Sequence, residues 1–121
     1  MRTFRYLDFA VYKDSKSFYK KCILLTKSFS RNYWELKDQL LRAALSVCLN
    51  IAEGSAKYSD KDFKRFLENS LGSINECLAC LDIAYDNKLV SLKDLLALEL
   101  EAESIAKQLG GLAKKLRNFS R

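Results

Sequence analysis

Apolar residues recur at helical spacing in four segments of this chain, and this periodicity constrains the fold more than any other feature. In the last segment the spacings alternate between three and four residues without a break, as in a coiled-coil seam. That seam consists of Leu95, Leu98, Ala102, Ile105, Leu109, Leu112, Leu116 and Phe119. Gly110 and Gly111 lie inside it and are poor helix formers, so the unbroken seam favours close approach of another helix there over a bend. Each of the four segments predicts an amphipathic helix with one buried face.

Few residues interrupt these helices. The 121 residues include no proline and only four glycines, so long helices with short connectors are expected. Ser59 and Ser91 precede acidic residues in the manner of helix N-caps. The predicted helices span about residues 7–29, 33–57, 60–87 and 92–118. Because short connectors place successive helices side by side in opposite directions, we predict an all-α fold, with residues 1–121 forming one up-down-up-down antiparallel four-helix bundle.

The second and third predicted helices each carry a narrow line of polar residues beside the apolar face. At 100° per residue, each line occupies an arc of about 80°. The first polar line consists of Gln39, Arg42, Ser46, Asn50 and Glu53. The second polar line consists of Asp62, Arg65, Asn69, Ser73 and Glu76.

Two interpretations of the polar lines remain open. In one, they are solvent-exposed edges of the bundle. In the other, they form a polar seam between helices or between subunits, where unpaired buried groups would be costly and would therefore fix the register. Arg42 would then pair with Glu76, and Glu53 would pair with Arg65. The serine and asparagine side chains would hydrogen bond between these ion pairs.

The region around the polar lines resembles a known family. The matching stretches are Leu40-Leu41-Arg42-Ala43-Ala44-Leu45-Ser46, Asn50-Ile51-Ala52-Glu53-Gly54, Phe63-Lys64-Arg65-Phe66-Leu67, Leu71-Gly72-Ser73 and Glu76. They are similar to those of the four-helix-bundle proteins first noticed as products of intervening sequences in bacterial large-subunit ribosomal RNA genes. This resemblance implies a ring-like homopentamer without a recognised enzymatic activity. The related accessory proteins of diversity-generating retroelements bind nucleic acid and a reverse transcriptase, which implies a nucleic acid or a protein as a further partner.

Basic residues are concentrated in the first quarter of the chain. Residues 1–31 carry a net charge of +6, residues 32–58 of zero, residues 59–88 of −2 and residues 89–121 of +2, which gives +6 for the chain. Basic side chains occupy one arc of the first helix and one arc of the fourth, where they could contact phosphates. The two basic arcs are Lys13, Lys16, Lys20, Lys27 and Arg31, and Lys107, Lys114, Arg117 and Arg121. The alternative for both arcs is an ordinary solvated lysine face.

Cationic and aromatic side chains also alternate at the N terminus, in Arg2, Phe4, Arg5 and Tyr6. These side chains either stack on unpaired bases or pack against the bundle. We expect a non-catalytic, oligomeric nucleic-acid-binding protein. Its ligand is RNA or DNA, and structured RNA is the favoured one. The competing hypothesis is a ring-shaped scaffold that recruits a protein partner and binds no nucleic acid.

Several functional classes find no support in the sequence. The chain has no histidine and no glycine-rich phosphate loop, so the Glu-x-x-His pairs of a di-iron bundle cannot form. Cys22, Cys48, Cys77 and Cys80 lie at apolar helix positions, and although the last two form a CxxC motif we expect buried, reduced thiols. No apolar run approaches the roughly 20 residues of a membrane span, and a signal peptide is not recognisable. We therefore expect no enzymatic activity, no cofactor or metal, no membrane association and a cytoplasmic location.

Overall fold

Four long helices make up most of the molecule. The computed structural model describes residues 3–119. The helices are α1 (Ala10–Thr26), α2 (Trp34–Ser55), α3 (Asp60–Asp86) and α4 (Leu92–Phe119). Short 3-10 turns at Arg5–Asp8 and Arg31–Tyr33 precede α1 and α2. The residues described contain no strand, which confirms the predicted all-α class.

Each helix packs against two neighbours. α2 and α4 both contact α1 and α3, whereas within residues 3–119 the diagonal pairs make no comparable contact. The α2–α3 interface is the most extensive of the four, and the α1–α4 interface is the smallest. Gln108 on α4 donates to Asp14 near the start of α1 at 2.9 Å, and Lys21 pairs with Glu101 at 2.9 Å. Because the later residue of α1 meets the earlier residue of α4, these helices are antiparallel, as predicted for an up-down-up-down bundle.

The core lies along the axis of the bundle and draws on all four helices. Phe18, Leu40, Leu67 and Ile105 are among its fully buried side chains. Removing an aliphatic or aromatic side chain of this size from water contributes about 1.5–3 kcal/mol. The buried Ser70 hydroxyl donates to the Val47 carbonyl oxygen, which satisfies a polar group inside the most extensive interface.

The predicted serine caps are present. The Ser59 hydroxyl accepts a hydrogen bond from the Asp62 N–H at 3.1 Å, and the Ser91 hydroxyl accepts one from the Asp94 N–H at 3.1 Å. Each cap satisfies one backbone donor that the first turn of a helix leaves unpaired. These contacts determine where α3 and α4 begin.

α1 is shorter than the predicted span of residues 7–29. Its start is displaced because Phe9 is extended, with ψ of 129°, after the 3-10 turn. Its end is displaced because the Phe29 N–H bonds to the Thr26 carbonyl three residues earlier, which closes a turn in place of another helical residue. Arg31 therefore lies in the second 3-10 turn and not on α1, which corrects its assignment to the basic arc of that helix.

Close helix approach occurs at Gly54 and not at the paired glycines of α4. A Cβ atom added to Gly54 would lie 2.6 Å from the Phe66 Cβ, so the end of α2 approaches the start of α3 too closely for a larger residue. The prediction of a close helix at Gly110 and Gly111 is wrong, because a Cβ at either would meet no described atom within 4 Å. α4 nevertheless continues through both positions.

Candidate functional site

The two polar lines run along one edge of the α2–α3 interface. The Ser73 hydroxyl of α3 donates to the Ser46 hydroxyl of α2 at 3.1 Å. The Asn50 amide donates to the Ser46 hydroxyl and to the Ser46 carbonyl, both at 2.9 Å. These three side chains are half-buried. The structure therefore brings the middle of the two lines together within one subunit.

The ends of the polar lines are exposed, and their ion pairs differ from the expected ones. Arg42 pairs with Asp38 one turn earlier on its own helix at 3.0 Å, while the Gln39 amide donates to the Glu76 carboxylate. The expected Arg42–Glu76 ion pair is therefore absent from the residues described. The physical reason is proximity, since a carboxylate at i−4 on the same helix can be reached without crossing the interface.

The other expected ion pair is also absent. Arg65 lies 3.8 Å from Asp62 on its own helix, and its guanidinium lies 4.7 Å from the centre of the Phe66 ring. Glu53 and Asn69 are exposed and make no side-chain hydrogen bond or ion pair within residues 3–119. The end of the first polar line at Glu53 and the middle of the second at Asn69 thus remain accessible to water or to another molecule.

The basic arc of α1 faces outward. Lys13, Lys16, Lys20 and Lys27 are exposed, and none of them forms an ion pair with another described residue. Lys16 lies 5.0 Å from the centre of the Tyr12 ring. Partial burial, with smaller effects from Tyr6 and from Cys48 of α2, raises the pKa of Tyr12. The Tyr12 ring packs against the buried core.

The basic arc of α4 has two members, Lys107 and Lys114, whose side chains the structure describes. Lys107 pairs with Glu103 at 2.9 Å, and Glu103 lines the groove between α3 and α4. Lys114 is exposed. Arg117 falls near the end of α4, and Arg121 lies outside the described residues. The structure therefore places Lys107 beside the α3–α4 groove and away from the arc of α1.

The N-terminal segment packs against the bundle through Arg5. Its guanidinium donates to the Ser55 carbonyl oxygen at 3.0 and 3.2 Å and lies 5.3 Å from the centre of the Phe63 ring. The Tyr6 ring contacts the Tyr12 ring edge to face at a centroid distance of 4.9 Å. Phe4 remains exposed, and Arg2 lies outside the described residues. Arg5 and Tyr6 therefore pack against the bundle, which is one of the two interpretations of this segment.

Several exposed aromatic and aliphatic side chains were not predicted from the sequence as candidate contact residues. Tyr58, in the turn between α2 and α3, is fully exposed. Leu45 and Leu49 point outward from α2, and Leu96 and Leu100 point outward from α4. The exposure of these four leucines was predictable from the helical spacing, because they lie away from the apolar face of each helix.

The four cysteines are buried and unpaired. Burial raises the pKa of Cys22 to about 12 and that of Cys48 to about 11, and it also raises the pKa values of Cys77 and Cys80. A thiol with a raised pKa is a poor nucleophile and a poor metal ligand at neutral pH. Within the part of the chain described, no group of three or more cysteine, aspartate or glutamate side chains is arranged to hold a metal ion. None of the helices described there combines the length and apolarity of a membrane span.

Comparison with known proteins identifies a family and a structural relative. Residues 7–111 match the family model described as 23S rRNA-intervening sequence protein. A 1.70 Å crystal structure of a protein of unknown function from the S23 ribosomal protein family of Bacteroides thetaiotaomicron VPI-5482 has a similar fold, with a TM-score of 0.78 and 24% sequence identity. The alignment covers 87% of this chain and 99% of the other. No curated protein matches the chain.

Proposed function

Since the chain belongs to the 23S rRNA-intervening sequence protein family, we propose that it is a non-catalytic, oligomeric, cytoplasmic protein that binds structured RNA through basic helix faces. The family description supplies a genetic association with ribosomal RNA. The contacts of the charged side chains supply the physical support. DNA of similar shape and charge density would compete for the same faces.

The basic arc of α1 is the observation that carries this proposal. Lys13, Lys16, Lys20 and Lys27 are exposed and lack carboxylate partners among the residues described. Unpaired cations repel one another, and an array of phosphates relieves that repulsion while releasing counterions. The arc spans almost four helical turns, which is about 21 Å at 1.5 Å per residue. That length suits contact with several successive phosphates.

Two outward leucine pairs support assembly into an oligomer. Leu45 and Leu49 lie on α2, whereas Leu96 and Leu100 lie on α4, and the exposed fractions of Leu49 and Leu100 are 55% and 69%. α2 and α4 occupy diagonal corners of the bundle, so the two pairs lie on opposite sides. A head-to-tail contact between two different surfaces generates a closed ring when the rotation permits. The homopentamer implied by the family resemblance is an arrangement of this kind.

Fluorescence anisotropy with a labelled RNA hairpin at low and raised salt tests RNA binding. The K13E/K16E/K20E variant should fold normally and lose most of its affinity, because the charge of the arc is reversed. The K37E/K88E/K93E variant changes the net charge equally on other surfaces and should retain more affinity. Equal loss in both variants would show a nonspecific charge effect, and unchanged affinity in the first would exclude the α1 arc.

A scaffold that recruits a protein is the second candidate. The groove between α3 and α4 favours it, since its volume is about 560 Å³ and its lining includes the exposed Leu71 and the half-buried Leu78. Exposed apolar grooves commonly receive an amphipathic helix. Absence of salt-sensitive binding to any RNA or DNA would leave this candidate in place of the first.

A further inference from the structure

The antiparallel fold separates charge along the length of the bundle. One half contains both ends of the described chain and comprises residues 3–18, 46–73 and 106–119, and the other half comprises residues 19–45 and 74–105. The first half carries eleven basic and six acidic residues, a formal net charge of +5. The second carries eight basic and nine acidic residues, a net charge of −1. Most of this surplus comes from residues 106–119, which carry four basic and no acidic residues, whereas residues 46–73 around the α2–α3 turn carry four of each. An anionic ligand is attracted to this half as a whole.

Tyr58 occupies the tip of that turn. Its relative exposure is 109%, so its ring makes little contact with the rest of the subunit. The turn itself is fixed, because Arg5 bonds to the Ser55 carbonyl on one side and Ser59 caps α3 on the other. Only the two side-chain torsions of Tyr58 then have to be ordered when a flat partner stacks on its ring, which keeps the loss of conformational entropy small.

Two cationic side chains flank the turn. Lys57 and Arg65 lie 5.0 and 4.7 Å from the centre of the Phe66 ring, so a single ring positions both of them. The nearby carboxylate of Asp62 lies 3.8 Å from Arg65 and neutralises it only in part, since both side chains are more than half exposed. Lys61 is also exposed beside the turn. An aromatic platform with surrounding cations matches the two parts of a nucleotide, its base and its phosphates.

We propose that the α2–α3 turn binds an unpaired nucleotide, with the Tyr58 ring stacked on the base and Lys57 and Arg65 close to the flanking phosphates. The inference rests on the proposed RNA-binding function and adds to it a site separate from the α1 arc. The Tyr58 ring has few bases to stack on in a duplex, because the bases of a duplex already stack on one another. Loops, bulges and single-stranded ends present bases that are free to stack.

Anisotropy measurements with two labelled probes test this site. One probe is a 12-nucleotide single-stranded RNA without secondary structure, and the other is a blunt RNA duplex. The Y58A variant should bind the single strand about 5- to 150-fold more weakly, which corresponds to the roughly 1–3 kcal/mol that one stacked base contributes. Its affinity for the duplex should not change. The salt dependence should also remain that of the wild type, since no charge is removed.

The Y85A variant is the matched control. Tyr85 is also exposed, but it lies near the end of α3 in the negatively charged half, so its removal should leave both affinities unchanged. Equal single-strand affinity for wild type and Y58A would overturn this inference and leave duplex binding intact. Failure of the wild type to bind either probe or the hairpin would overturn the proposed function itself. A Y58F variant should retain single-strand binding, because stacking needs the ring and not the hydroxyl.

Discussion

The Arg5 guanidinium donates two hydrogen bonds to the carbonyl oxygen of Ser55, at 3.2 Å from Nε and 3.0 Å from Nη2. Ser55 is the last residue of α2, and carbonyls in the last turn of a helix lack intrahelical partners. A cation at this position also interacts favourably with the negative end of the helix dipole. One side chain from the N-terminal segment thus caps the C-terminal end of a helix 50 residues away in the sequence.

The R5A variant should be less stable than the wild type. Loss of the paired hydrogen bonds and of the contact with Phe63 should lower the free energy of unfolding by about 1–2 kcal/mol. Urea denaturation followed by circular dichroism measures this change. The R31A variant is the control, because Arg31 is exposed and forms no ion pair within residues 3–119. Equal stability of R5A and wild type would show that the contact adds nothing.

Alanine substitutions at two glycines should have opposite effects. G54A should lower the free energy of unfolding by about 1–3 kcal/mol, because the new methyl group overlaps Phe66 and forces the helices apart. G72A should raise it by about 0.5–1 kcal/mol, since space is open at that position of α3 and alanine favours the helix. Thermal unfolding of both variants beside the wild type measures the difference. A stabilising G54A would contradict the close approach of α2 and α3.

Charge placed on the outward leucines should reduce the oligomer mass. L49E and L100E should each lower the mass measured by light scattering, because a carboxylate in an apolar subunit contact must be desolvated. The fold of each subunit should persist, as both side chains are largely exposed within it. I83E is the control, since Ile83 is an exposed aliphatic residue on α3. An unchanged mass in both test variants would place the subunit contact elsewhere.

The cysteines should make stability fall at alkaline pH. Their pKa values rise from about 9 in the unfolded chain to about 11 for Cys48 and about 12 for Cys22 in the folded protein, because burial penalises the thiolate. Between these values the unfolded chain loses protons that the folded protein retains, so rising pH favours unfolding. Denaturation midpoints measured from pH 8 upward should decline, and a C48A variant should decline less steeply.

Thiol accessibility gives an independent measurement of the same burial. Iodoacetamide at pH 8 should react slowly with all four native cysteines and rapidly after denaturation, because only the thiolate attacks. An S17C variant, whose new thiol lies on the exposed side of α1, should react rapidly while folded. Rapid labelling of the native wild-type protein would show that the buried positions open.

The fold was largely predictable because its determinants are local. Apolar spacing marks the buried faces, and Ser59 and Ser91 mark the starts of two helices without information from distant residues. The start of α1 was predicted less accurately, since Arg5 holds the preceding segment against Ser55. Its end was also displaced, because the Phe29 N–H closes a turn onto the Thr26 carbonyl. The ion pairs of Arg42 and Arg65 were also predicted incorrectly, because flexible side chains can choose between carboxylates on the same helix and on the neighbouring helix.

The sequence by itself determined the helical class, which depends on spacing along each helix, and the antiparallel order, which depends on short connectors. It also determined most members of the basic arcs, but not the place of Arg31, which lies in a 3-10 turn. Only the tertiary structure decided which segments share an end of the bundle. Charge counted along the chain appears as a basic N-terminal quarter, whereas the fold brings residues 3–18, 46–73 and 106–119 into one positively charged half. It also leaves Tyr58 exposed in that half. The physical reason is that helical period specifies the face a residue occupies, while the packing of distant helices specifies what lies beside it.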